Sequence, residues 1–281
     1  MAISANDVKT LRDRTNAPMM ECKTALTETG GNMEKAVEWL RKKAGSKVAT
    51  FAARETAEGR IGVYLDRDAK CGAIVEIRCE TAPVAKTDQF IQLTAEIAKQ
   101  VAVNNPASVD DLLKQPSLAQ PNKTIADRVM DVFQLIRENM KPHRFVRFTG
   151  LVGDYLHHDG SVGVLLLVEG ATADPQVLRD VCMHIAARNP VSGTKDDVPA
   201  ATLTKETEIA REQTMNDPKN KSKPPQILEK IIEGKMKTWL AENVLVDQPF
   251  VKDDSKTVGQ LLSSKGLKLV KFVRYRVGDV S

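Results

Sequence analysis

The sequence predicts an α+β protein: an N-terminal three-helix bundle, a duplicated β-hairpin-plus-helix core with antiparallel sheets, and a helical hairpin insertion. Three observations carry that prediction. Apolar residues in the first forty-five positions recur at helical spacing between caps and breakers. A glycine and tyrosine pattern returns ninety-one residues after its first appearance. A tip rich in proline and lysine separates two helix-forming segments late in the chain.

Ser4 can cap a first helix in which Val8 and Leu11 lie one turn apart, and Asn16-Ala17-Pro18 breaks it and restarts a second. Met19, Cys22 and Leu26 share one face of that second helix until Gly30-Gly31 ends it. Met19 and Met20 stand about 100° apart around the helix, so a narrow stripe that buries Met19 leaves Met20 at its edge. Either both methionines finish the bundle core, where their flexible thioethers fill irregular gaps, or an exposed one offers a soft apolar contact to a partner. Asn32 caps a third helix, with Met33, Ala36, Val37 and Leu40 in phase up to Gly45. Ser46 to Glu58, alanine-rich and charged, reads as a helical linker.

The period then changes. Gly59, Gly62, Tyr64 and Leu65, a turn at Asp66 to Lys70, and the run Gly72 to Ile77 read as a β-hairpin, followed by a helix carrying Phe90, Leu93, Ile97 and Val101. Gly150, Gly153, Tyr155 and Leu156, a turn at His157 to Ser161, and Gly163 to Val168 repeat the hairpin at one offset. A helix with Val177, Val181, His184 and Ile185 follows, and Asn189-Pro190 echoes Asn105-Pro106. Each unit would bury a sheet face under its own helix, giving two similar subdomains side by side. Between them, prolines 106, 116 and 121 precede a helix with Ile125, Val129, Val132 and Ile136 on one face, expected to pack on the first unit.

Leu203 to Met215 is helix-forming but polar nearly all round, whereas Gln226 to Asn243 carries Ile227, Leu228, Ile231, Ile232, Met236, Trp239 and Leu240. The two form a hairpin about an exposed tip at Asn216 to Pro225. A Ser255 cap then starts a short helix burying Val258, Leu261 and Leu262, and Leu269 to Val277 alternates as a strand that completes the second sheet, with Leu269, Val273, Tyr275 and Val277 on one face. The chain divides into a bundle with linker (1–54), core subdomains at 55–141 and 142–200, a helical hairpin at 201–245, and a C-terminal segment at 246–281 completing the second subdomain.

Composition excludes several functions. Lysine plus arginine exceed aspartate plus glutamate by 41 − 37 = 4, aromatics are 4%, and no basic stripe interleaves with them, so no direct nucleic-acid contact is expected. The longest apolar run, Val162 to Val168, cannot span a bilayer, and no leader opens the sequence, so a soluble cytoplasmic protein is expected. The four cysteines show no paired short spacing and read as buried small hydrophobes. No glycine-rich phosphate loop occurs, and Cys182 and His184, about 200° apart around a helix, cannot share a metal. No metal site or cofactor is expected.

The run Leu11 to Leu26 resembles the N-terminal helical domain of elongation factor Ts, the bacterial nucleotide-exchange factor of elongation factor Tu. Gln-Pro-Phe-Val at 248–251 and Ser-Lys-Thr-Val-Gly-Gln-Leu-Leu at 255–262 resemble the same family, as do Met-His-Ile-Ala-Ala at 183–187 and Glu-Gly-Lys-Met-Lys at 233–237. The likeness spans nearly the whole chain. It implies a guanine-nucleotide exchange factor that binds elongation factor Tu, displaces Mg2+ and promotes GDP release during translation elongation, with no covalent chemistry. It also implies that Arg12, Met19 and Met20 touch the GTPase and that His158 lies near the partner's surface.

The loop Thr81-Ala82-Pro83-Val84 matches the family's element that inserts into the GTPase and displaces its magnesium ion. That loop usually reads Thr-Asp-Phe-Val, and here Ala82-Pro83 replaces Asp-Phe. Thr87-Asp88-Gln89-Phe90 looks like a slipped copy, but the flanking anchors put it on the following helix. Pro83 fixes its own φ and removes an amide donor, so the loop can act as a stiff apolar wedge, or Pro83 only terminates the strand. The helical hairpin either supports a homodimer or stiffens the core. The family often carries a further helical tail, whose contact is expected to be missing here because the sequence stops at Ser281. Two rival readings are a generic helical adaptor and an enzyme using Cys79 or Cys182 as nucleophile.

Overall fold

The computed structural model describes residues 3–15, 17–51 and 53–279, with backbone alone at 44–50. Helix α1 (Ala5–Thr15) begins at Ser4, whose hydroxyl accepts from the Asp7 amide at 3.1 Å while the Asp7 carboxylate accepts from the Ser4 amide at 3.1 Å. Asn16, read as part of the breaker, lies outside the described residues. Helix α2 (Met19–Glu28) ends in a Schellman turn: Gly31 N donates to Leu26 O at 2.8 Å and Gly30 N to Thr27 O at 3.3 Å, both glycines having positive φ. Asn32 caps α3 (Met33–Phe51) by accepting from Lys35 N at 3.0 Å. Val8, Leu11, Ala17, Cys22, Ala25, Leu26, Ala36 and Leu40 form the bundle core. The third helix does not stop at Gly45 but takes in the first part of the expected linker and ends at Phe51, whereas residues 53–57 are not helical and Glu58 already opens a strand. One interior glycine costs a helix only about 1 kcal/mol, and the surrounding alanines favour continuing.

Strands β1 (Glu58–Asp66) and β2 (Cys71–Cys79) form the first hairpin, and α4 (Asp88–Asn104) crosses their outer face with Phe90, Leu93, Ile97 and Val101 buried. Helices α5 (Val109–Lys114) and α6 (Ile125–Ile136) extend that core through Leu112, Ile125 and Val132. Strand β3 (Met140–Thr149) then pairs antiparallel with β2, so the first sheet continues past residue 141. A strand here is invisible in the pattern because Lys141, Pro142, His143 and Arg144 break any alternation and the ladder bulges at His143.

The second sheet is built alike. Strands β4 (Leu151–Leu156) and β5 (Val162–Glu169) form its hairpin, and α7 (Pro175–Arg188) covers it. Helices α8 (Ala200–Asn216) and α9 (Pro225–Asn243) follow, then the short pair β6 (Pro249–Phe250) and β7 (Asp253–Thr257), helix α10 (Val258–Ser264), and β8 (Lys268–Arg276) beside β5. A bulge at Val270 reverses the facing, so Leu269 points to the α7 side whereas Val273, Tyr275 and Val277 point to the other sheet. The expected single face is thus split. Thr257, not Ser255, caps α10, sharing a capping box with Gln260. Ser255 instead hydrogen-bonds Asp253.

The two sheets stack face to face, with Ile61, Ile74 and Phe148 of one against Val152, Leu165 and Tyr275 of the other. The order across the core is helix, sheet, sheet, helix. The repeated glycines mark its tightest contacts. A Cβ on Gly62 would lie 2.6 Å from Thr94 Cγ2, and one on Gly153 2.6 Å from Leu178 Cβ, so each lets a helix rest on a strand. Gly72 and Gly163 perform the same service between the sheets, where a Cβ would come within 3.0 Å of Val152 and 2.6 Å of Ile61. Asn105 and Asn189 end α4 and α7 with nearly equal left-handed angles, φ +44° and +47°.

Glu76, wholly buried on β2, is gripped by Arg78 at 2.9 Å and Arg144 at 2.6 Å. Arg78 also donates to Asp279 O at 3.0 Å, and Gly278 N donates to Glu76 at 3.3 Å, so the segment after β8 is latched onto the first sheet. On the far side, His184 Nδ1 accepts from Val251 N at 3.2 Å. Its Nε2–H must then donate to Gln248 Oε1 at 2.8 Å, which makes the ring neutral. Helices α8 and α9 bury Ala210, Thr214 and Ile232 against each other and leave Ile209, Met215 and Ile227 exposed. Their roots are joined by a parallel bridge, Ser192 to Val244, with Val191 N donating to Asn243 O at 2.8 Å.

Gly153→Ala is expected to cost about 2 kcal/mol by pushing α7 off β4, read as a lower urea midpoint. Burial depresses the His184 pKa, so the unfolded chain takes up that proton first as pH falls. Stability should be complete above about pH 6.5 and decline below it by up to about 1.4 kcal/mol per pH unit. Urea midpoints measured across that range should fall less steeply in His184→Asn.

Candidate functional site

The loop after β2 is held from beneath at several points. Cys79 donates its thiol hydrogen to Thr81 O at 3.3 Å, and burial, reinforced by the nearby Glu138 charge, raises its pKa to about 12. Glu138 accepts from both Thr81 N at 3.1 Å and Thr81 Oγ1 at 2.8 Å. Glu80 accepts from Asn139 N at 2.6 Å and lies 3.4 Å from the Arg54 guanidinium, while Asn139 Nδ2 donates to Arg54 O at 3.0 Å. Pro83 has helical angles, φ −58° and ψ −40°, and opens a single 3-10 turn at Val84–Lys86. Strand β2 ends four residues before it, at Cys79. Val84 and Ala85 are buried, and Ala82 and Pro83 form an exposed apolar crest.

Arg12 is exposed on α1. Met19 and Met20 are exposed by 53% and 70%, which corrects the reading that only one of them stands out. The buried stripe of α2 is Cys22, Ala25 and Leu26, and buried Ala17 closes the core beneath the helix start, so no pocket is left for Met19. The residue after Met20 leads to the loop. Glu21 pairs with Arg137 at 3.4 Å, with each side chain about three-quarters covered, and Glu138 is the next residue. Phe51 packs edge-on to Phe133 at 5.4 Å between ring centres, and the Arg54 guanidinium lies 3.6 Å over the Phe51 ring. Glu21, Arg137 and Glu138 thus form a chain of contacts from the helix that carries the methionines to the loop that carries the crest.

His158 is exposed on the β4–β5 turn, its ring 4.4 Å from that of His157, which bonds the Tyr155 hydroxyl at 2.9 Å. Ile61 N donates to Gly160 O at 2.8 Å and Arg60 Nη1 to Asp159 O at 3.0 Å, docking this turn on the start of β1. The start of β1 pairs with the end of β2, Glu58 opposite Cys79 and Arg60 opposite Ile77. The turn and the 81–84 loop thus share one end of the first hairpin. Arg54, Glu80, Arg137 and Glu138 escaped the sequence reading, since each acts through a partner remote in the chain.

Other chemistry finds little support. All four cysteines are buried and unpaired, and burial raises Cys79 and Cys182 far from thiolate formation at neutral pH. Among the described residues no three His, Cys, Asp or Glu side chains converge on a metal-sized space, and no helix is long and apolar enough to cross a membrane. In the cleft of about 330 Å³ between bundle and core, Arg128 is already engaged by Glu96 and Asp131.

The family profile described as Elongation factor TS matches residues 80–279. An elongation factor Ts of Azoarcus sp. (strain BH72) is 43% identical over 279 residues, covering 99% of this chain and 91% of the relative. One of Lactiplantibacillus plantarum is 42% identical over 281 residues, covering 99% and 92%. One of Halothermothrix orenii is 38% identical over 283 residues, covering 99% and 93%. Replacing Met19 and Met20 together by alanine is expected to change the unfolding free energy by less than about 0.5 kcal/mol in a urea titration, because neither belongs to the core.

Proposed function

The chain belongs to the elongation factor Ts family, and on that premise we propose that it is a cytoplasmic guanine-nucleotide exchange factor acting on elongation factor Tu during translation elongation. The observation that supports this reading is the clamped loop whose exposed crest is Ala82-Pro83, tied through Glu138, Arg137 and Glu21 to the helix that carries Met19 and Met20. Exchange needs no covalent step. The factor has to bind the vacant GTPase more tightly than the GDP-loaded one, and linkage makes GDP weaken factor binding by the same ratio. A ligand with equal affinity for both forms would shift nothing.

The family's usual Asp-Phe pair is absent, so a carboxylate or an aromatic ring at 82 and 83 cannot displace the partner's magnesium ion. Shape remains. Pro83 opens a helical turn and presents no amide donor, and Thr81 is pinned by two hydrogen bonds, so the crest can enter a partner's cleft with little ordering cost. Arg12, Met19 and Met20 would supply a second contact and His158 a third.

The test is release of labelled GDP from elongation factor Tu. The chain should accelerate it, and Ala82→Asp with Pro83→Phe should leave the rate within about twofold if loop shape governs. A gain well above that would mean the side chains, not the shape, perturb the metal site. Met19→Ala with Met20→Ala should weaken binding by about 1 to 2 kcal/mol. Binding without any acceleration would favour an adaptor instead.

A further inference from the structure

Among the described residues, six positions at or just beyond helix ends have left-handed backbone angles: Gly30, Gly31, Asn105, Arg137, Asn189 and Gly266. Five are glycine or asparagine, the residues that tolerate this conformation best. The exception is Arg137, with φ +64° at the end of α6. A strained backbone at an arginine calls for a reason in its side chain. That side chain reaches back to Glu21 on α2, next to the exposed methionines, while its neighbour Glu138 holds Thr81 by amide and hydroxyl. Two adjacent residues thus grip two separate contact elements from one rigid helix end.

We infer that Arg137 and Glu138 are positioning residues that hold the N-terminal bundle and the 81–84 loop in a single register for the partner. The inference rests on the exchange-factor reading for its kinetic consequences and on the geometry alone for its structural ones. The left-handed turn is what divides their labour, because it sends consecutive side chains to different neighbours. Arg137 acts on where the bundle stands, and Glu138 on how the crest is presented.

The variants separate these roles. Arg137→Asn keeps a residue suited to the left-handed angle, so the chain should be at least as resistant to urea as the unsubstituted one. It loses the tie to Glu21 and should raise the factor concentration for half-maximal GDP release about fivefold, with the maximal rate nearly unchanged. Arg137→Lys, which keeps the charge, should recover part of that loss. Glu138→Ala should lower the maximal rate about tenfold at saturating factor, since a displaced crest fails after binding. Glu138→Gln, which keeps one acceptor oxygen, should fall between. In the free protein, Glu138→Ala should speed deuterium uptake at the amides of Thr81 to Thr87, and Arg137→Asn should not.

A stable Arg137→Asn with unsubstituted kinetics, or Glu138→Ala with unchanged loop protection, would overturn the assignment. If the unsubstituted chain fails to release GDP at all, the exchange-factor reading falls by itself. Loop protection in Glu138→Ala still decides the clamp in that case.

Discussion

Strand β2 is covered on both faces, and most of the architecture follows from that constraint. Its outer face meets α4 and its inner face meets the second sheet, so Gly72 to Ile77 is a nearly continuous apolar run where a one-sided strand would alternate. The one carboxylate on it, Glu76, has no access to water and persists only between two arginines. Those arginines also bond the carbonyls of Arg276 and Asp279, and Arg144 lies 4.2 Å over the Tyr275 ring. The centre of one sheet and the end of the other are thereby held by a single charged knot. The loop that follows β2 inherits its stiffness.

The same physics accounts for the duplication. Two sheets that share an inner interface need small residues where they touch and where their helices lie down, and the glycine pairs at 62 and 153 and at 72 and 163 meet those needs in both halves. Each third strand, β3 and β8, also carries one bulge. The bulge at His143 lies beside the rung at Glu76, where Arg144 turns in to the carboxylate.

Helical periodicity, the glycine repeat and the alternation of the last strand made the bundle, both hairpins, both covering helices and β8 legible in advance. What escaped has identifiable causes. Strand β3 is dense in charge because its arginines serve Glu76 and the Ala102 carbonyl. Ser255 offers a cap to α10, but Thr257 with Gln260 three residues on carries the fuller capping-box signal. Gly45 looked like a stop and is not one. At the candidate site the loop and the methionine pair were legible through family likeness. The clamp was not, because Thr81 and Glu138 are 57 positions apart, and Glu21 and Arg137 are 116 apart. No local pattern announces a carboxylate that waits for a loop so distant in the chain.

The bridge between Ser192 and Val244 gives the α8–α9 arm a property of its own. Its entry and exit segments are stitched together at the base, so the span the core has to close is independent of how long the arm is. The arm is in that sense a cassette: evolution or an engineer could shorten it, lengthen it or trade it for another helical pair while the ladder between β5 and β8 kept its register.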